Sequence, residues 1–193
     1  MGNILQNIHL FRAIEAYPWE LEKAVEALHY ALSYDPENAK ALHLMAKVYA
    51  EQLGDYETAK TYYESALASR LDLTDIYPDY IRLLTNNEDF EEAQKVIDFA
   101  KTVKGIDKAG IALAQGQLFE SITQFEDAER ALKEAKQLAL NDDFISFVEN
   151  VLSRVKKKRK AQANENRILE NQAKKETETQ PKSWFQNRLN NFL

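Results

Sequence analysis

An interval of 34 or 35 residues governs this chain. In the stretch GDYETAKTYYESAL, residues 54–67, the residues Tyr56, Ala59, Tyr63 and Ala66 follow one another at offsets of 3, 4 and 3. Phe90, Ala93, Ile97 and Ala100 repeat the order 34 residues later, and Phe125, Ala128, Leu132 and Ala135 repeat it after 35 more. Leu21, Ala24, Leu28 and Ala31 supply an earlier copy. A period of this length marks an array of supersecondary units, each unable to bury its own apolar face without a neighbour.

The offsets within a copy place all four residues on one face of a helix. Alanine there permits close approach of a second helix, and the large side chains fill the space between. Polar turns (LGD, NNED, TQFED) precede three of the copies and can cap a helix start. Another amphipathic segment comes before each copy: ILQNIHLFRAIEA, ENAKALHLMAKVYAEQ, LTDIYPDYIRLLT and DKAGIALAQGQLFESI. Each unit is therefore predicted to be a helical hairpin. Composition agrees, with only five glycines and four prolines in 193 residues and an excess of good helix formers.

The pattern resembles the tetratricopeptide repeat family. Its Leu-Gly-x-x-Tyr element is matched by Met45-Ala46-x-x-Tyr49 and more clearly by Gly116-x-x-Phe119, its Ala-x-x-x-Phe element by all four second helices, and its closing proline by Pro36 alone. The family's Trp is absent, and Gln52-Leu53 add a residue before the second turn. The resemblance implies an all-α, right-handed superhelical solenoid of four hairpins, at about residues 3–36, 37–71, 72–105 and 106–141. It also implies a protein-binding groove lined by the first helices.

Beyond the fourth unit, Phe144, Phe147, Val148, Val151, Leu152 and Val155 share a helical face. Residues 142–155 are expected to cap the stack, with Asn141 and Asp142 at the helix start. Residues 156–182, beginning KKKRK, read as a basic polar linker or an extended helix. Residues 183–193 carry Trp184, Phe185, Leu189, Phe192 and Leu193 at helical spacing, an amphipathic docking segment. Charge divides the same way: residues 1–155 hold 15 Lys/Arg and 27 Asp/Glu, whereas residues 156–193 hold 10 and 4.

Little in the sequence suggests catalysis. There is no glycine-rich phosphate loop, no nucleophile beside a base, no cysteine and no long apolar span. The three histidines, His9, His29 and His43, fall on different helices and are read as polar or packing residues. No cofactor and no metal are expected. No secretory signal stands at the start, so the expected setting is cytoplasmic.

Arg12, Lys47, Arg82 and Gln117 recur every 35 residues on the first helices. If the units superpose, the first three form a positive column along the groove, with His43, Leu44, Asp79, Leu113 and Ala114 beside it. One reading is a clamp for a partner's acidic groups. The other is local pairing, of Arg12 with Glu15, Lys47 with Glu51 and Arg82 with Asp79. The two-carboxylate clamp by which some family members hold chaperone C-termini is not reproduced, because Asp75 and Asp79 stand where neutral or basic residues are wanted. Nucleic acid is a poor match for so acidic a body.

The function expected from the sequence is a non-enzymatic adaptor or assembly scaffold that holds a protein segment in its groove. Two alternatives place the function in the tail: a peripheral membrane tether, and self-association by tail-in-groove docking.

Overall fold

The computed structural model describes residues 2–179, with side chains from residue 8 to residue 174. Trp184, Phe185, Leu189, Phe192 and Leu193 lie outside the described residues. The helices, in order, are α1 (Gly2–Ala16), α2 (Leu21–Tyr34), α3 (Ala39–Lys47), α4 (Tyr56–Ser69), α5 (Ile76–Asn86), α6 (Phe90–Ala100), α7 (Lys108–Ser121), α8 (Phe125–Leu138) and α9 (Asp142–Thr179). A π-helical turn, Val48–Leu53, prolongs α3.

The twelve residues of the alanine pattern form the centre of the stack. Ala24, Leu28, Ala31, Ala59, Tyr63, Ala66, Ala93, Ile97, Ala100, Ala128, Leu132 and Ala135 are all at most 1% exposed. Close helix approach is visible at Gly116, where a Cβ would lie 2.7 Å from Leu132 Cγ. Asn38 and Asp55 cap α3 and α4, accepting from the backbone N–H of Ala41 (3.0 Å) and Thr58 (3.1 Å). Asn141 does the same for α9, through the Phe144 N–H at 2.8 Å. Asp89 and Gln124 precede α6 and α8 without such a bond.

Three hairpin turns share one device. Gly54, Glu88 and Thr123, at successive intervals of 34 and 35, take φ of 67°, 66° and 60°. Only the first uses the residue for which the left-handed region is free of strain.

First helices of neighbouring hairpins touch, α1 with α3 and α5 with α7, whereas second helices make no comparable contact with one another. The stack is thus narrower on its first-helix side, which is the concave one. Hairpin length varies within this plan. Gly116 precedes Ala128 by 12 residues and Ile81 precedes Ala93 by 12, but Ala46 precedes Ala59 by 13. The π-helical turn absorbs that extra residue, as π-bulges do. In the first hairpin the buried small residue is Ala13, only 11 before Ala24. Phe11, 35 residues before Ala46, is 60% exposed. Helix α1 therefore sits two residues out of the 35-residue register.

At the far end Val148, Val151 and Val155 of α9 pack on Phe125, Ala128, Leu132 and Ala135 of α8. From there α9 runs on as one helix, and residues 167–174 are exposed without exception.

Candidate functional site

Two charged clusters flank a cavity lined by α5, α7 and α9. The first cluster centres on Asp79, which is mostly buried. Its carboxylate accepts from His43 Nε2–H at 3.0 Å and from Arg82 Nη2 at 3.0 Å, and pairs with Lys47 Nζ at 3.3 Å. A carboxylate only accepts, so His43 carries its proton on Nε2. Glu51, at the π-helical turn, takes a second hydrogen bond from Arg82 and one from the Tyr17 hydroxyl. Burial pushes the Asp79 carboxyl up, but the hydrogen bond from His43 and the charges of Lys47 and Arg82 outweigh it and hold it below the ordinary carboxylate value. The Tyr17 hydroxyl is pushed up to about 12, by burial first and then by the Glu51 carboxylate.

This arrangement changes the picture of a positive column in two ways. Lys47 and Arg82 do come together, but against Asp79 and Glu51, so two cations meet two carboxylates. Arg12 is not with them. The two-residue shift of α1 places it at the open edge of the first hairpin, in a cavity of about 400 Å³ shared with His9, Lys23, Glu26 and Tyr30. There His9 stacks on Tyr30, with ring centroids 5.1 Å apart. Lys47 pairs with Asp79 rather than Glu51, and Arg12 makes no ion pair among the described residues, while the Arg82–Asp79 pair forms.

The cavity lies between α5, α7 and α9 and measures about 550 Å³. Arg82, Thr85 and Asn86 form one wall, Leu113, Ala114 and Gln117 another, and Phe147 of α9 closes an end. Arg82 and Gln117, from the 35-residue series, thus line one concavity. Phe147 leaves the packing face proposed for its helix and turns toward this space, half-exposed. The Thr85 hydroxyl oxygen is buried without a hydrogen-bond partner among the described residues.

The second cluster fastens α9. Glu120, 7% exposed, receives a bidentate pair from Arg154 (2.8 and 2.7 Å) and a third contact from Lys158 at 2.7 Å. Arg159 pairs with Glu129, itself 4% exposed, at 3.2 Å. The hydrogen bond from Arg154 holds the Glu120 carboxyl below its ordinary value, against burial and with Lys158 assisting. Two members of KKKRK are thus engaged with the body. No simple spacing in the sequence announced these pairs, although Glu120 stands four residues after Gly116 on the inward face of α7.

The three histidines stand apart, and no group of three His, Asp or Glu that could hold a metal occurs among the described residues. No described helix is long and apolar enough to cross a membrane.

No protein-family model matches the chain, and no curated protein sequence matches it. Solved structures do. The chain is similar to PilF of Pseudomonas aeruginosa, with a TM-score of 0.71 at 17% identity over 83% of this chain and 71% of that one. It is similar to MamA of Desulfovibrio magneticus RS-1, with a TM-score of 0.60 at 17% identity over 83% and 96%. A tetratricopeptide repeat protein of Parabacteroides merdae gives 0.65 at 18% identity over 87% and 64%. At such identities the likeness concerns the fold, which is an all-α helical repeat of the tetratricopeptide type.

Proposed function

We propose that this protein is a non-enzymatic scaffold that holds an extended segment of a partner protein on its concave face, between α5, α7 and the start of α9. The observation that carries the reading is the cavity of about 550 Å³, where Leu113, Ala114 and Phe147 offer apolar contact while Arg82, Asn86 and Gln117 offer hydrogen bonds. A small number of placed polar groups in an apolar concavity suits a peptide better than a reaction. Lys47 and Arg82 already have carboxylate partners, so an acidic ligand would compete with Asp79 and Glu51 rather than meet a bare positive surface. The segment favoured is therefore apolar with polar backbone contacts, and acidic groups contribute little.

Site-specific photo-crosslinking in the native host tests this reading. A crosslinker at Gln117 is expected to give discrete protein adducts that vanish when Leu113→Arg fills the cavity, while one at Lys95 on α6 gives none. Equal labelling from both positions, or adducts indifferent to Leu113→Arg, would contradict it.

A further inference from the structure

Another cavity, of about 790 Å³, lies on the opposite, convex side. It runs along α2 past Leu21, Val25, His29 and Tyr30, and its far wall is Leu53. Its surface is almost wholly apolar, apart from a rim that carries Glu22 and Glu26. The wall exists because of the residue inserted in the second hairpin: the π-helical turn ends at Leu53 and leaves that side chain 52% exposed beside α2.

We propose that this groove receives residues 183–193 of a second copy of the chain. Length, chemistry and reach support that occupant. From Leu21 to Ser33 the groove follows α2 for about 18 Å, and residues 183–193 wound as a helix span about 16 Å. A helix over that segment would carry Trp184, Phe185, Leu189 and Phe192 on one side, and Lys182 and Arg188 are its nearest charges in sequence, opposite in sign to Glu22 and Glu26. Its own chain's groove is out of reach. Helix α9 packs on α8, at the opposite end of the array from α2. Only residues 180–182 separate the end of α9 from the segment. Three residues extend about 11 Å at most, little more than one interhelical spacing, while α3 to α8 intervene along the array. Reciprocal exchange of the segments closes a symmetric dimer.

This surface is distinct from the concave site, and the test separates the two. Full-length protein and three variants are compared by sedimentation equilibrium across a range of concentrations, with circular dichroism confirming helicity. The variants are Leu53→Glu in the groove, Trp184→Ala/Phe185→Ala in the segment, and Arg82→Glu on the concave face. The wild type and Arg82→Glu are expected to dimerise alike. Leu53→Glu and the double variant should each raise the dimer dissociation constant at least about tenfold. An equimolar mixture of those two should recover association, because one intact groove meets one intact segment. Leu53 is half-exposed in the monomer, so its substitution leaves folding intact. A monomeric wild type overturns the proposal, and so does dimerisation that survives both substitutions. Loss of the dimer in Arg82→Glu overturns it as well, by moving the docking to the concave face. Failure of the mixture to recover association shows that groove and segment are not partners, which equally overturns it.

Discussion

The two ends of this stack meet the same problem differently. At the far end Leu132 and its neighbours are covered by α9, which is packed through Val148, Val151 and Val155 and tied to two buried carboxylates by Arg154, Lys158 and Arg159. At the near end no helix covers the first hairpin among the described residues. Phe11, Ile14, Tyr30 and Tyr34 are each at least 50% exposed. The difference teaches that burial and ion pairing concentrate where α9 closes the stack, while the first hairpin keeps large apolar side chains exposed.

The largest effect that could break this comparison is expected from Val151→Asp. It places a carboxylate at a 3% exposed position between α8 and α9. Desolvation without a partner should cost more than about 4 kcal/mol, read as a drop in the urea midpoint with release of α9. Gly116→Val comes next. The new Cβ would meet Leu132 Cγ at 2.7 Å and Cδ2 at 2.9 Å, and overpacking of a core costs about 1–3 kcal/mol. The matching change at the near end, Ala13→Gly, should cost about 1 kcal/mol through helix propensity alone.

The latch makes its own prediction with pH. The Glu120 carboxyl is lowered in the folded protein, so its stabilisation is complete above the unfolded value of about 4.3 and is lost as pH falls through the lower folded value. Glu120→Gln should cost about 1–2 kcal/mol at neutral pH and flatten the acid limb of the stability curve. An unchanged acid limb would show that the latch contributes nothing. A gain is expected at Thr123, a β-branched residue at φ 60°. Thr123→Gly should stabilise by roughly 1 kcal/mol, measured as a higher melting temperature. Smallest of all, Phe11→Ser or Ile14→Ser should shift stability by no more than about 0.5 kcal/mol, since both side chains already face solvent.

The second helices were legible in the sequence because their pattern is written entirely in local spacing. The last three residues of each copy are buried where the period placed them, whereas of the leading large residues only Phe125 is buried, with Leu21, Tyr56 and Phe90 partly covered. The first helices were harder, since their register depends on turn length. A hairpin shortened before Pro18 and one lengthened at Gln52-Leu53 defeat a fixed 35-residue offset, and Arg12 left the column for that reason. Asp79 was in view as a neighbour of the column, but no spacing told that it would gather His43, Lys47 and Arg82 at once. The latch was invisible because its partners lie 30 to 38 residues apart on helices whose relative rotation only packing decides. From spacing alone KKKRK reads as the start of a basic polar linker or an extended helix, and nothing local tells that Lys158 and Arg159 stand against Glu120 and Glu129.

Hydrogen exchange of the full-length protein, resolved helix by helix, tests most directly whether one end is locked and the other open. The account predicts that amides of α7, α8 and α9 as far as Arg159 exchange together in the slowest class, with residues 167–174 far faster and α1 exchanging ahead of α7. Exchange of α9 as fast over residues 142–159 as over residues 167–174 would contradict it, because the helix would then be unfastened from the stack.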